Sequence, residues 1–239
     1  MKKLAKHLTL LLVTMLLAVM GTSCNDDNGG DQPQYYNAFM IIRSDGVNVW
    51  FENGNGKYEV RNAPASLELI KKDGRRALVY YFEEKTAPAP GYDKVISLMA
   101  LQFCTTGNLV EVSDLSTLDS YGTASISFDN RSYNFCDGWF DILIDYYQYL
   151  EAEHTFSLCI VPNELVPAEV PLPSGYVYME LRHYCDKTGT KLEKIRDIAS
   201  FKLPEEYDPT VNPSVKGYYI RLIDEMGGSS YANLEFKKQ

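Results

Sequence analysis

The stretch WFDILIDYY, residues 139–147, decides the fold class of this chain. Apolar side chains occupy every second position, and Asp141 and Asp145 lie between them. Successive side chains of a β-strand point to opposite sides of the sheet, so this period of two predicts a strand with one buried face. The apolar positions are Phe140, Ile142, Ile144 and Tyr146.

The same alternation in the amino-terminal half predicts a first group of about five strands. Residues 47–52 alternate clearly and are followed by Asn53-Gly54-Asn55-Gly56, a strong hairpin turn. Five short strands in about 75 residues suit a small barrel, and we place this domain at residues 36–112. Its strands are predicted at 47–52, 57–60, 77–84, 94–103 and 109–112.

A polar stretch at residues 113–121 separates the barrel from a second group of eight strands, which predicts an antiparallel β-sandwich at residues 113–239. Four prolines between residues 162 and 173 exclude a central strand there and predict a long crossing loop. The strands of the sandwich are predicted at 124–128, 131–135, 139–147, 154–161, 176–185, 198–203, 218–223 and 232–236.

The amino terminus has the features of an export signal. Three lysines precede an uncharged run from Leu8 to Met20, which is too short for a permanent transmembrane helix and ends in small residues. We interpret residues 1–23 as a signal peptide. The next residue is Cys24, and Gly21-Thr22-Ser23-Cys24 resembles a bacterial lipobox, which predicts a lipid anchor on Cys24. Residues 24–35 contain three aspartates and predict an acidic flexible tether.

Composition limits the possible partners. Loss of the three signal-peptide lysines leaves 20 basic against 32 acidic residues, a formal charge of −12, so we expect no nucleic-acid partner.

The mature chain has four further cysteines in no C-x-x-C arrangement, which argues against a zinc knuckle. Two disulfides and four buried thiols remain equally open. These cysteines are Cys104, Cys136, Cys159 and Cys185.

The residues that could carry out catalysis are few. His183 shares the apolar face of its predicted strand, so we expect a core histidine, and we expect His154 in a polar hairpin loop. Asp137, Asp141 and Asp145 are four residues apart, about 13 Å along a strand, which is too far for a glycosidase pair and indicates a solvent face. We therefore predict no catalytic residue, no metal site and no cofactor.

Three aromatic residues are the candidates for ligand binding. Trp50 lies on the polar face of its predicted strand beside the Asn/Gly turn, where an indole could stack on a sugar or anchor a partner. The alternatives are that Trp50 packs against the second domain or caps the end of the barrel. Tyr176 and Tyr178 share one face of their strand and leave the same choice open.

Four segments resemble the NigD-like lipoproteins in their order and separation. They are Lys72–Tyr81, Gly138–Ile142, Tyr178–His183 and Ala199–Leu203. The resemblance covers nearly the whole chain and implies an all-β fold with a small OB-like barrel followed by an antiparallel β-sandwich. It also implies a lipoprotein signal and an acidic tether. The family has no established activity, so the resemblance implies no functional residue.

These observations predict a non-catalytic, lipid-anchored protein of the Gram-negative cell envelope that binds a protein or a glycan. Its acidic tether resembles surface-export signals, so we expect attachment to the outer membrane through Cys24, on the periplasmic or the exposed side. Two alternatives are a hydrolase acting on an envelope polysaccharide and a structural subunit of a surface assembly.

Overall fold

A computed structural model describes residues 34–61, 69–149, 151–186 and 191–236. The predicted signal peptide, Cys24 and most of the predicted tether lie outside these ranges. Within them, none of the helices has the length and hydropathy that a bilayer crossing requires.

The first five strands close into a barrel in the order β1-β2-β3-β5-β4. Their alternating apolar side chains point into the barrel, where Met40, Ile42, Phe51 and Ile96 are fully buried. The pairs are antiparallel except for β3 with β5. The strands are β1 (Tyr35–Ser44), β2 (Val49–Asn53), β3 (Gly56–Val60), β4 (Arg76–Glu83) and β5 (Lys94–Phe103).

Strand β1 was not predicted from the sequence, although it closes the barrel by pairing with both β2 and β4. Its centre is a run of five apolar residues, Ala38 to Ile42, which hides the period of two. Met40 faces the barrel core, whereas the ring of Phe39 lies 5.5 Å from the guanidinium of Arg76. Tyr35, which we placed in the tether, instead pairs with Phe82 at the start of β1.

The predicted closing strand of the barrel, residues 109–112, was wrong. Strand β6 (Thr105–Thr106) pairs with a strand of the sandwich, β12 (Lys191–Lys202). Strand β7 (Asn108–Glu111) pairs in parallel with another, β10 (His154–Val161). The reason is that both faces of β7 find apolar partners in the sandwich. Leu109 packs against its inner core, and Val110 packs against an apolar cluster on its outer face.

The sandwich consists of a five-stranded sheet, β14-β13-β11-β10-β7, packed on a four-stranded sheet, β6-β12-β9-β8. Most pairs are antiparallel, and β7 with β10, β11 with β13 and β6 with β12 are parallel. The predicted strands 124–128 and 131–135 form the single strand β8. The remaining strands are β8 (Ile126–Cys136), β9 (Trp139–Tyr149), β10 (His154–Val161), β11 (Tyr176–Cys185), β12 (Lys191–Lys202), β13 (Gly217–Ile223) and β14 (Ser229–Glu235).

The two sheets enclose an aromatic core that includes Phe140, Phe156, Phe201 and Tyr218. The outer face of the five-stranded sheet is only half covered. Over β7, β10 and β11, a 3-10 helix (Leu115–Tyr121) and the proline-marked loop enclose a second apolar cluster around Val112 and Cys159. The other half of that face is formed by outward side chains of β13 and β14, and we call it the open half-face. It carries Tyr219, Arg221, Ser229, Tyr231 and Asn233.

Candidate functional site

Trp50 lies on the outer surface of the barrel and is held by its own neighbours. Its Nε1 donates a hydrogen bond to Glu52 Oε1 at 2.7 Å, and Lys57 Nζ lies 4.2 Å from the indole centroid. Tyr92 contacts the indole edge at a centroid distance of 6.5 Å. The donor and one face of this indole are therefore already engaged within the barrel.

Tyr178 is buried, so its ring is not presented at the surface. It is 1% exposed, and its hydroxyl donates a hydrogen bond to Glu180 at 3.3 Å. Burial raises its pKa above the ordinary tyrosine value. Tyr176 is partly exposed, with its ring against Gly217, where an added Cβ would lie 2.3 Å from the ring. Trp50 belongs to the barrel and these tyrosines to the sandwich, so the three predicted residues do not form one site.

The open half-face brings together two tyrosines that the sequence analysis did not select. Tyr219 on β13 and Tyr231 on β14 have ring centroids 5.4 Å apart, with an interplanar angle of 34°. On the neighbouring strand β11, Tyr178 lies beside Tyr219 and stacks on it at 6.3 Å and 24°. Tyr231 is 48% exposed. The sequence pattern does place Tyr219 on the polar side of its strand, where an aromatic side chain is a candidate for binding. The pattern does not show which strand pairs with it, so it could not place Tyr231 beside Tyr219.

A buried carboxylate anchors the polar part of the open half-face. Glu180 is 3% exposed and accepts two hydrogen bonds from Arg221 Nη1, at 3.0 and 2.9 Å. It also accepts a hydrogen bond from Arg182, whose other end pairs with Asp119 at 3.0 Å. Arg221 Nε donates to Ser229 Oγ at 2.8 Å. The guanidinium of Arg221 is thus fixed in orientation while 28% of its side chain remains exposed.

A second ion cluster joins the barrel to the sandwich. Arg76 of β4 donates two hydrogen bonds of 2.7 Å to Asp141 of β9, and both side chains are fully buried. Asp141 also accepts hydrogen bonds from Ser200 and Asn134. The ring of Trp139 lies 5.3 Å from the Arg76 guanidinium.

The predicted solvent face for Asp141 was therefore wrong. The alternation correctly placed Asp141 on the side of β9 that faces away from the sandwich core. That side is covered by the barrel at Asp141 and is not exposed to solvent there. Asp145, two positions further along the same face, does reach the surface and pairs with Arg196 at 2.8 Å.

The two described histidines form a hydrogen-bonded pair between the sheets. His183 is buried, as predicted, and its Nδ1 donates to the carbonyl of Ser125 at 3.0 Å. Its Nε2 then accepts a hydrogen bond from His154 Nδ1 at 2.8 Å. The prediction of a polar loop for His154 was wrong, because this residue opens β10 with its ring beside Tyr146. Burial lowers the pKa of His183 to about 4.

The four cysteines of the described residues are free thiols. Burial raises the pKa of Cys104 and Cys136 to about 11 and that of Cys159 to about 12. Since the thiolate is the reactive form, these three side chains are poor nucleophiles at neutral pH. In the part of the chain that the structure describes, no group of three or more His, Cys, Asp or Glu side chains is arranged to hold a metal ion.

Solved structures share this fold. A protein of unknown function (DUF1344) from Bacteroides vulgatus has a TM-score of 0.65 and 17% identity, over 86% of this chain and 92% of that one. A candidate lipoprotein from Bacteroides fragilis has a TM-score of 0.57 and 11% identity, over 86% and 99%. A NigD-like immunity protein from Bacteroides caccae has a TM-score of 0.50 and 15% identity, over 86% and 94%.

At these identities the likeness shows the fold, an OB-like barrel followed by a β-sandwich. The resemblance to NigD-like lipoproteins is confirmed at that level, since a NigD-like protein is among the structures with this fold. Neither the family models nor the curated proteins gave a match to the chain.

Proposed function

We propose that this protein is a lipid-anchored, non-catalytic binding protein of the cell envelope whose partner is a protein or a glycan. Cys24 carries the acyl chains, and the acidic tether links it to the barrel at the outer membrane. The lipobox residues Gly21-Thr22-Ser23-Cys24 support the anchor. Further support comes from the Bacteroides fragilis protein of the same fold, which is described as a candidate lipoprotein.

The observation that carries the binding role is the open half-face of the sandwich. It presents an exposed tyrosine next to an arginine that is already oriented by a buried carboxylate. Tyrosine and arginine, together with tryptophan, are enriched among the residues that contribute most of the binding energy at protein interfaces. An arginine whose orientation is fixed in advance loses less entropy when a ligand arrives.

Support for a role without catalysis comes from how the reactive groups are engaged. Asp141 is held by Arg76, Asp145 by Arg196, and His183 by Ser125 and His154. A polysaccharide hydrolase needs two carboxyl groups about 5 to 9.5 Å apart on either side of a substrate. These two aspartates, four residues apart on one strand, are both committed to arginines and do not offer that arrangement.

Site-specific photo-crosslinking in intact cells tests the binding role. A benzophenone side chain is placed at Tyr231 or, as the matched control, at Tyr184, which is 46% exposed on the same sheet. We expect a discrete adduct from position 231 and none from position 184. Identical adduct patterns from both positions, or no adduct from either, would contradict a partner on the open half-face.

The anchor has its own test. The intact mass of the protein extracted from membranes is expected to exceed that of the chain beginning at Cys24 by the mass of its acyl groups. The Cys24→Ala variant should lose both this added mass and its membrane association. An unmodified mass for the membrane-extracted protein would contradict the lipid anchor.

A further inference from the structure

The covered and open parts of the sandwich's outer face meet at Tyr219. This ring packs against the Val112 cluster, which the proline-marked loop covers with Leu172. On its other side it contacts Tyr231, the most exposed ring of the row. With Tyr178 behind them, the three rings have successive interplanar angles of 24° and 34°. The three tyrosines therefore form a row that runs from the covered cluster to the surface and ends in the exposed ring of Tyr231; we call this end of the row, with the polar groups around it, the shelf.

The polar groups on this shelf are arranged before any ligand binds. Arg221 makes two hydrogen bonds to the buried Glu180 and one to Ser229. Asn233, opposite Tyr219 in the strand register, adds an exposed amide. A hydroxyl, an amide and a partly exposed guanidinium therefore border the aromatic rings.

The ion cluster beside the shelf has no net charge. Glu180 and Asp119 supply two negative charges, and Arg182 and Arg221 supply two positive ones, all connected by the contacts described above. Without the signal peptide the chain has a formal charge of −12, from 20 basic and 32 acidic residues, which repels anionic ligands. A cationic ligand would meet the exposed part of Arg221. The surface therefore suits an uncharged ligand that has flat apolar faces and many hydroxyl groups.

We propose that the open half-face binds a neutral oligosaccharide. A sugar ring stacks on the exposed ring of Tyr231, which Tyr219 supports from its other side, and the sugar hydroxyl groups hydrogen-bond with Arg221, Ser229 and Asn233. Planar apolar faces bordered by fixed donors and acceptors match the alternating apolar and polar surfaces of a pyranose. This inference rests on the proposed binding function and specifies the chemical class of its ligand.

A glycan array tests the ligand class. The mature protein is applied to neutral gluco-, manno-, galacto- and xylo-oligosaccharides printed beside oligogalacturonates and sulfated oligosaccharides. We expect binding to at least one neutral series and none to the anionic series. Titration with the bound oligosaccharide should show about tenfold weaker affinity for Tyr231→Ala, because the exposed stacking ring is lost.

Two further variants test whether the loss of affinity comes from the ring of Tyr231. Tyr231→Phe keeps the ring and should bind like the wild type, while Tyr184→Ala removes an equally exposed tyrosine elsewhere on the sheet and should leave the affinity unchanged. A silent array, binding to anionic glycans alone, or equal losses in the two alanine variants would each overturn the inference. If the array is silent but position 231 crosslinks a protein, the binding function stands and only the ligand class is wrong. If both experiments are negative, both proposals fail.

Discussion

Asp141 and Glu180 are both buried carboxylates that pair with arginine, but their surroundings differ. Asp141 and its partner Arg76 are sealed between the barrel and the sandwich. Glu180 is buried on the outer face of the five-stranded sheet, and its partner Arg221 on the same face remains partly exposed. The comparison teaches that the same ion pair can serve two purposes. The Arg76–Asp141 pair joins the barrel to the sandwich, whereas the Arg221–Glu180 pair fixes a donor at the surface, where we propose that a ligand binds.

The largest expected effect on stability comes from breaking the buried ion pair between Arg76 and Asp141. Asp141→Asn removes the charge that compensates Arg76 and leaves a buried guanidinium, which typically costs about 3 to 5 kcal/mol. The free energy of unfolding, measured by urea denaturation at pH 7, should fall by that amount. Asp145→Asn is the matched control on the same strand. Its partner Arg196 is largely exposed, so we expect a loss below about 1 kcal/mol. Equal losses in the two variants would contradict the distinction between sealed and open pairs.

His183 extends the comparison to a buried titratable group whose hydrogen-bond partners are a backbone carbonyl and a second histidine. Burial lowers the pKa of His183 from its ordinary value of 6.5 to about 4, so the unfolded chain takes up the proton first. Stability should be greatest above pH 6.5 and should decrease as the pH falls toward 4, by roughly 3 kcal/mol in total. Urea denaturation at several pH values measures this loss. His183→Leu removes the titrating group and should show a clearly smaller decrease between pH 6.5 and 5, where few carboxylates titrate. Parallel pH profiles for the two proteins would exclude His183 as the cause.

Glu180→Gln should have a smaller effect on stability than Asp141→Asn. The variant removes the charge that Arg182 and Arg221 share. Arg221 can turn toward solvent and Arg182 keeps its ion pair with Asp119, so we expect a loss of about 2 kcal/mol. Oligosaccharide affinity should fall as well, because Arg221 is no longer held in position. A loss of stability equal to that of Asp141→Asn, with unchanged affinity, would mean that Glu180 serves only the fold.

The smallest expected effect on stability concerns two aromatic residues at the surface, Trp50 of the barrel and Tyr231 of the open half-face. Trp50→Ala removes the contacts with Glu52 and Lys57 and should lower stability by about 1 kcal/mol or less, with unchanged oligosaccharide affinity. Tyr231→Ala should show the opposite pattern, with a change in stability within about 0.5 kcal/mol and weakened binding. Thermal unfolding and titration of both variants measure this contrast. Loss of binding in Trp50→Ala alone would move the binding site to the barrel.

Local patterns predicted the strands well. Strands β10 and β11 have the predicted bounds, and the predicted β9 is two residues short. Alternation is a property of neighbouring residues, so it survives whatever the strand later pairs with. It failed for β1, where Phe39 and Ile41 make the outward side of the strand apolar as well. It also assigned residues 109–112 to the wrong domain, because a short apolar strand suits any sheet that has a free edge.

The candidate site was much less predictable. Trp50, Tyr176 and Tyr178 were chosen because aromatic residues stood out in single strands, but one is held by the barrel and another is buried. Tyr219 and Tyr231 lie in different strands, 12 positions apart along the chain. Their contact depends on the register of β13 with β14, and the exposure of Tyr231 depends on where the covering loop ends.

The amino-acid sequence by itself determined that this protein is built of sheets, where most strands run, and that His183 faces a core. Only the tertiary structure decided that Asp141 meets Arg76, that His154 reaches His183, and that one half of a sheet face stays open. The physical reason is that a period of two separates two sides of a strand without identifying what lies against either side. Those partners are set by strand order and by packing between segments far apart in the chain.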